Sequence, residues 1–108
     1  WGPDYPDPHS NAKAFAVNQK DAPDGSTGLA DRFGWDAGKL SQDAMAAVRE
    51  QDADKRRTMY ETLQKAHTDT SPFLYMFQQV RKVGVRSSVK GLVLGQTFSD
   101  DRYWNVSK

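Results

Sequence analysis

The amino-acid sequence predicts an α/β fold, and three patterns carry that expectation. Two stretches in the middle of the chain repeat apolar residues at helical spacing. The run Phe73-Leu-Tyr-Met-Phe-Gln-Gln79 is nearly continuous in apolar character, which is the pattern of a strand covered on both faces. After it come short segments bounded by glycine or alternating with polar residues, as strands do.

The first helix is read from Ser10-Asn-Ala-Lys-Ala-Phe-Ala-Val17, where Ser10 or Asn11 can cap and helix formers follow. It is short enough to be marginal alone. Asn18 to Asp31 is rich in glycine, aspartate and proline and has no period, so an exposed loop is expected. Asp36 can then cap a helix whose Leu40, Ala44, Ala47 and Val48 line one apolar face. Asp52 is a good cap for the next helix, with Asp54 in the first turn and Met59, Tyr60, Leu63, Ala66 and His67 on the inner stripe. These two should pair as a helical hairpin. Pro72 ends the helical run. Val83 and Val85, then Gly91-Leu-Val-Leu-Gly95, then Arg102-Tyr-Trp-Asn-Val106 are the remaining expected strands.

Composition narrows the classes of function. With 108 residues, 37% hydrophobic and 27% charged, the chain can build one modest core, and no apolar run approaches bilayer-spanning length. Fifteen basic against fourteen acidic residues are interspersed along the chain, which argues against a nucleic-acid partner. There is no cysteine, so thiolate chemistry and disulfides are excluded. No nucleophile elbow, phosphate loop or dinucleotide fingerprint occurs, so neither an enzyme nor a cofactor is expected.

The chemistry concentrates in the opening stretch, Trp-Gly-Pro-Asp-Tyr-Pro-Asp-Pro-His-Ser-Asn. Its three prolines hold Gly2, Tyr5 and Asp7 in an extended path and present the neighbouring side chains at nearly fixed positions. Asp4, Asp7 and His9 are of metal-ligating types, but the prolines keep the segment from wrapping an ion, and no metal is assigned. Trp1 with Asp4 is a better receptor for an ammonium group. The carboxylate pairs the charge and the indole face adds cation–π attraction. Spacing alone leaves this even with a packed tryptophan and a turn-capping aspartate. For His67, on an apolar helix face, a hydrogen bond to a backbone carbonyl is the expected role. Lys55, Arg56 and Arg57, with acids within a turn, are expected to form a solvated face.

Taken in order, Trp1-Gly-Pro-Asp-Tyr-Pro-Asp-Pro8, the helix from Asp52 to Asp69, Ser71-Pro-Phe-Leu-Tyr-Met-Phe-Gln-Gln79, Ser87-Ser-Val-Lys-Gly-Leu-Val-Leu-Gly95 and Tyr103-Trp-Asn-Val106 resemble the C-terminal portion of bacterial extracellular solute-binding proteins of the dipeptide/oligopeptide family, the receptors of peptide and nickel ABC importers. The resemblance spans essentially the whole chain. It implies a C-terminal fragment of a two-lobed, periplasmic-binding-protein type II-like α/β fold. Residues 1–79 would belong to the second, ligand-binding lobe, and residues 80–108 to a tail returning toward the first. Trp1 starting directly in the stiffest stretch fits a fragment as well.

By the same resemblance, Asp4 is expected to pair the ligand's α-amino group, Trp1 and Tyr5 to line the pocket, and Tyr75 and Phe77 to border the cleft. The expected ligand is a short peptide. Nickel-type relatives tend to lack the acid at Asp4, and the alternative is an opine, a sugar or a nickel chelate. The residue that receives the ligand carboxylate is expected outside this chain. The implied partners are the membrane subunits of an ABC permease, and the implied location is periplasmic or membrane-anchored and extracytoplasmic. The fragment by itself is expected to self-associate through the apolar strands of its tail. An independent interaction domain and a hydrolase are the other readings, the hydrolase the weakest.

Overall fold

Asp7 opens the first helix. Its backbone is extended (φ −137°, ψ 138°), and its carboxylate accepts the His9 N–H at 2.8 Å, so it caps a helix, α1 (Pro8–Ala16), that has proline at its first position. The cap therefore lies three residues before the expected Ser10, because an Asp-Pro pair satisfies both the side-chain and the φ requirement of a helix start. The computed structural model describes residues 2–3, 5–77, 80–95 and 100–108.

Three further helices follow: α2 (Leu29–Arg32), α3 (Lys39–Ala47) and α4 (Ala53–Thr70). Asp36 does not cap α3 directly. Its Oδ1 accepts the Gly38 N–H at 2.9 Å, and Gly38 precedes the helix at a positive φ of 54°, which favours glycine. Asp52 caps α4 as expected, accepting the Lys55 N–H at 2.9 Å. Tyr60, Leu63 and His67 are the buried residues of α4, a stripe spaced three and four apart. With Ala12, Val17, Ala44 and Ala47, Tyr60 and Leu63 form the apolar core, flanked by half-buried Leu40, Met45 and Met59. The buried residues of α3, which packs on both α1 and α4, are small: Ser41, Ala44 and Ala47.

The α/β expectation, and with it the type II periplasmic-binding-protein-like two-lobed fold, is overturned. Helices supply the regular structure, and among the described residues there is no sheet. Strand pairing is confined to two isolated antiparallel bridges, Lys90 with Ser107 and Val93 with Arg102. Residues 73–77 of the run read as a doubly covered strand belong to no strand. Leu74, Met76 and Phe77 are 83%, 77% and 82% exposed. The reason is physical: strand propensity is realised only where a neighbouring strand accepts the hydrogen bonds and covers the side chains, and the described chain supplies none here. Val83 and Val85 are exposed for the same reason.

The chain divides into two compact units. One is residues 7–75, which holds all four helices; the other is residues 1–6 and 76–108, as far as they are described. The division expected at Gln79 falls on a residue outside the described ones. Within the second unit, Arg81 forks onto both carboxylate oxygens of Asp101. Asp101 also accepts the Gly95 N–H at 3.0 Å and the Tyr103 hydroxyl at 2.9 Å. The Arg81 guanidinium, then these donors, hold the carboxyl well below the usual carboxylate range.

The expected loop over 18–31 is not simply exposed. Gly28 precedes α2 and lies against the end of α1, where an added Cβ would stand 3.0, 3.1 and 3.2 Å from the carbonyl oxygens of Ala14, Val17 and Lys13. Gly28→Ala must push the loop off α1 and is expected to cost about 1–3 kcal/mol, the range for overpacking. Chemical denaturation followed by circular dichroism measures it. A stability within a few tenths of wild type would show that the loop yields freely.

Candidate functional site

Below the loop, Asn18 is 4% exposed and organises the chain around itself. Its amide nitrogen donates to Asp31 Oδ1 at 3.0 Å and to the Trp35 carbonyl at 2.9 Å. Its amide oxygen accepts the Ala37 N–H at 2.8 Å, and its backbone N–H donates to Ser41 Oγ at 2.9 Å. Asp31 in turn receives the N–H groups of Gln19 and Gly28. Burial pushes the Asp31 carboxyl up, but these donors together outweigh it and hold the carboxyl below its ordinary value. Such a network places Trp35 by fixing the backbone on both sides of it.

Trp35 belongs to an aromatic cluster centred on Phe73 and His67. Phe73 meets Phe15, Phe33 and Trp35 edge-on at centroid distances of 5.3, 5.6 and 6.0 Å, and lies parallel to the His67 imidazole at 5.8 Å. Trp35 meets His67 edge-on at 5.3 Å. His67 is 3% exposed, and its Nε2 lies 3.2 Å from the Phe15 carbonyl oxygen, which can only accept. The proton therefore belongs on Nε2, and Nδ1 accepts from the Tyr75 hydroxyl at 2.7 Å. The expected carbonyl partner of His67 is thus present. The cluster holds Ser71–Tyr75 against the helical unit although the stretch forms no strand.

The residues predicted for the site fall in different places. Trp1 and Asp4 lie outside the described residues. Tyr5 is half-exposed, and Phe77 is almost fully exposed. Tyr75 carries an exposed ring, but its hydroxyl is tucked onto His67, where burial raises its pKa. Tyr75 and Phe77 belong to different units.

The aromatic cluster and the Asn18 network were not read from the sequence. Phe33 and Trp35, two large aromatics beside a glycine- and aspartate-rich loop, were the available signal, because exposed loops seldom carry such residues without packing them.

Arg56 also departs from the expected solvated face. Its Nη2 donates to Asp7 Oδ1 and Oδ2 at 2.9 and 3.0 Å, and its guanidinium lies 5.0 Å from the Tyr60 ring centre. Arg57 does stay at the surface, paired with Asp54. The Arg56 hydrogen bond, opposed by burial and assisted by the His9 N–H, holds the Asp7 carboxyl below its ordinary value. Asp7 is committed to capping α1 and tying it to α4. Among the described residues no three His, Cys, Asp or Glu side chains converge as metal ligands would, and no helix is long and apolar enough to cross a membrane.

No protein-family model, curated protein or solved structure matches the chain.

Proposed function

We propose that this chain is part of an extracytoplasmic solute receptor that delivers short peptides to an ABC permease, with Asp4 receiving the ligand's α-amino group and Trp1 beside it. The observation that carries the reading is the Trp-Gly-Pro-Asp-Tyr-Pro-Asp-Pro stretch, in which an acid and an indole are set among three prolines. The remaining segments resemble the solute-binding family in the same order. An ammonium receptor kept stiff by neighbouring prolines loses little conformational entropy when the ligand arrives.

The test is native mass spectrometry of the full-length receptor carrying this segment, after incubation with a mixture of short peptides, an opine, a sugar and a nickel chelate. Retention of peptides supports the reading. Retention of only a sugar, an opine or a chelate overturns the peptide assignment.

The 108-residue chain alone is expected to associate with itself, since Leu74, Met76, Phe77, Val80, Val85 and Trp104 are all more than half exposed. Light scattering over a concentration series checks this, with a truncation after Gln79 as control. A strictly monomeric chain whose tail amides resist exchange would overturn it.

A further inference from the structure

His9 occupies an unusual position for a titratable side chain. It lies in the first turn of α1 and is 7% exposed, and its Nδ1 is buried without a hydrogen-bond partner among the described residues. Its ring meets Tyr60 of α4 edge-on at 6.5 Å. The charged groups that face it are Asp7 and Lys13 from its own segment and Arg56 from α4. The one acid among them, Asp7, is already engaged: it caps α1 through the His9 N–H and accepts both contacts from Arg56. A proton on His9 would thus place a buried cation beside a guanidinium and a lysine, with the one counter-charge found among the described residues already shared.

We propose that His9 is an acid-sensitive latch: when its ring takes up a proton, the first turn of α1 separates from α4 while α3 and the rest of α4 stay folded.

The geometry favours local over global opening. The His9 contact lies at the start of α1, whereas Val17, Ala44, Ala47 and Leu63 of the core and the hydrogen bonds of Asn18 lie farther along the chain. The sign is set by burial. Burial first, then Lys13 and Arg56, lower the His9 pKa, and Asp7 opposes them only in part. The folded state therefore prefers the neutral ring. Its contribution to stability is full above the unfolded histidine value of about 6.5 and is lost as pH falls through that value toward the lower folded one.

Amide hydrogen exchange of the full chain, read by NMR at about pH 7.5 and about pH 5, tests this. Protection factors at Ala12, Lys13 and Ala14 are expected to fall about tenfold or more in acid, while those of Ala44 and Ala47 change less than about twofold. His9→Phe keeps a ring against Tyr60 but has no proton to gain, and should hold its α1 protection at both pH values. Should that variant fail to fold, the His9 ring resonances of the wild type supply the second measurement. Their titration midpoint should lie below about 6.5 and coincide with the loss of α1 protection. Unchanged α1 protection at pH 5, loss of α1 and α3 protection together, or a His9 titration uncoupled from α1 opening would each overturn the latch.

Discussion

Asn18→Leu is expected to destabilise the helical unit by roughly 3–5 kcal/mol, the sum of leaving several buried polar groups without partners. Leucine is close to asparagine in size, so the cost is chiefly one of hydrogen bonding. The Ala37 N–H loses the oxygen 2.8 Å away, and the Trp35 carbonyl and Asp31 Oδ1 lose their shared donor. Ala37 is itself 7% exposed, so water does not readily replace what is lost. Against a typical net stability of about 5–15 kcal/mol, this is a large fraction. Urea denaturation followed by far-ultraviolet circular dichroism should show the midpoint collapse. Near-ultraviolet signal from Trp35 should weaken even in dilute urea, since the backbone that places it is no longer held. A loss below about 1 kcal/mol would mean that the network is not what holds the loop to α3.

Asp4→Asn, made in the full-length receptor, is expected to weaken binding of an amine-bearing ligand by roughly 2–5 kcal/mol, because a desolvated ammonium loses its counter-charge. That corresponds to about thirty- to several-thousand-fold in affinity. Fold stability should barely move, since the change keeps size and polarity. Titration calorimetry with a peptide ligand reads the effect, and thermal unfolding of the same sample controls for folding. Unchanged affinity in a folded variant would falsify the ammonium role of Asp4. A peptide with a blocked amino terminus supplies the complementary measurement, and its affinity should be insensitive to the substitution.

Local signals in the sequence were reliable where a residue acts on its own neighbours. Asp52 caps α4 because a carboxylate three residues before a free N–H needs only local geometry, and the stripe Tyr60, Leu63, His67 follows from helical spacing. Proline at the second position of Asp7-Pro8 also marks a helix start, although Ser10 competed with it as a cap.

What the sequence by itself determined, then, is where α3 and α4 run and the stripe that α4 buries. Tertiary structure alone decided the rest. Asn18 looks like a loop residue until Ala37, Trp35 and Ser41 arrive from farther along the chain to use its amide. Arg56 looks solvated until Asp7 meets it from the other end of the helical unit. The apolar run from Phe73 to Phe77 reads as a strand, yet Phe73 and Tyr75 set their rings against His67 of the aromatic cluster, while Leu74, Met76 and Phe77 stay exposed. A helix contains its own hydrogen-bond partners and is legible from one segment, whereas a strand or a buried polar side chain is defined by groups elsewhere in the chain.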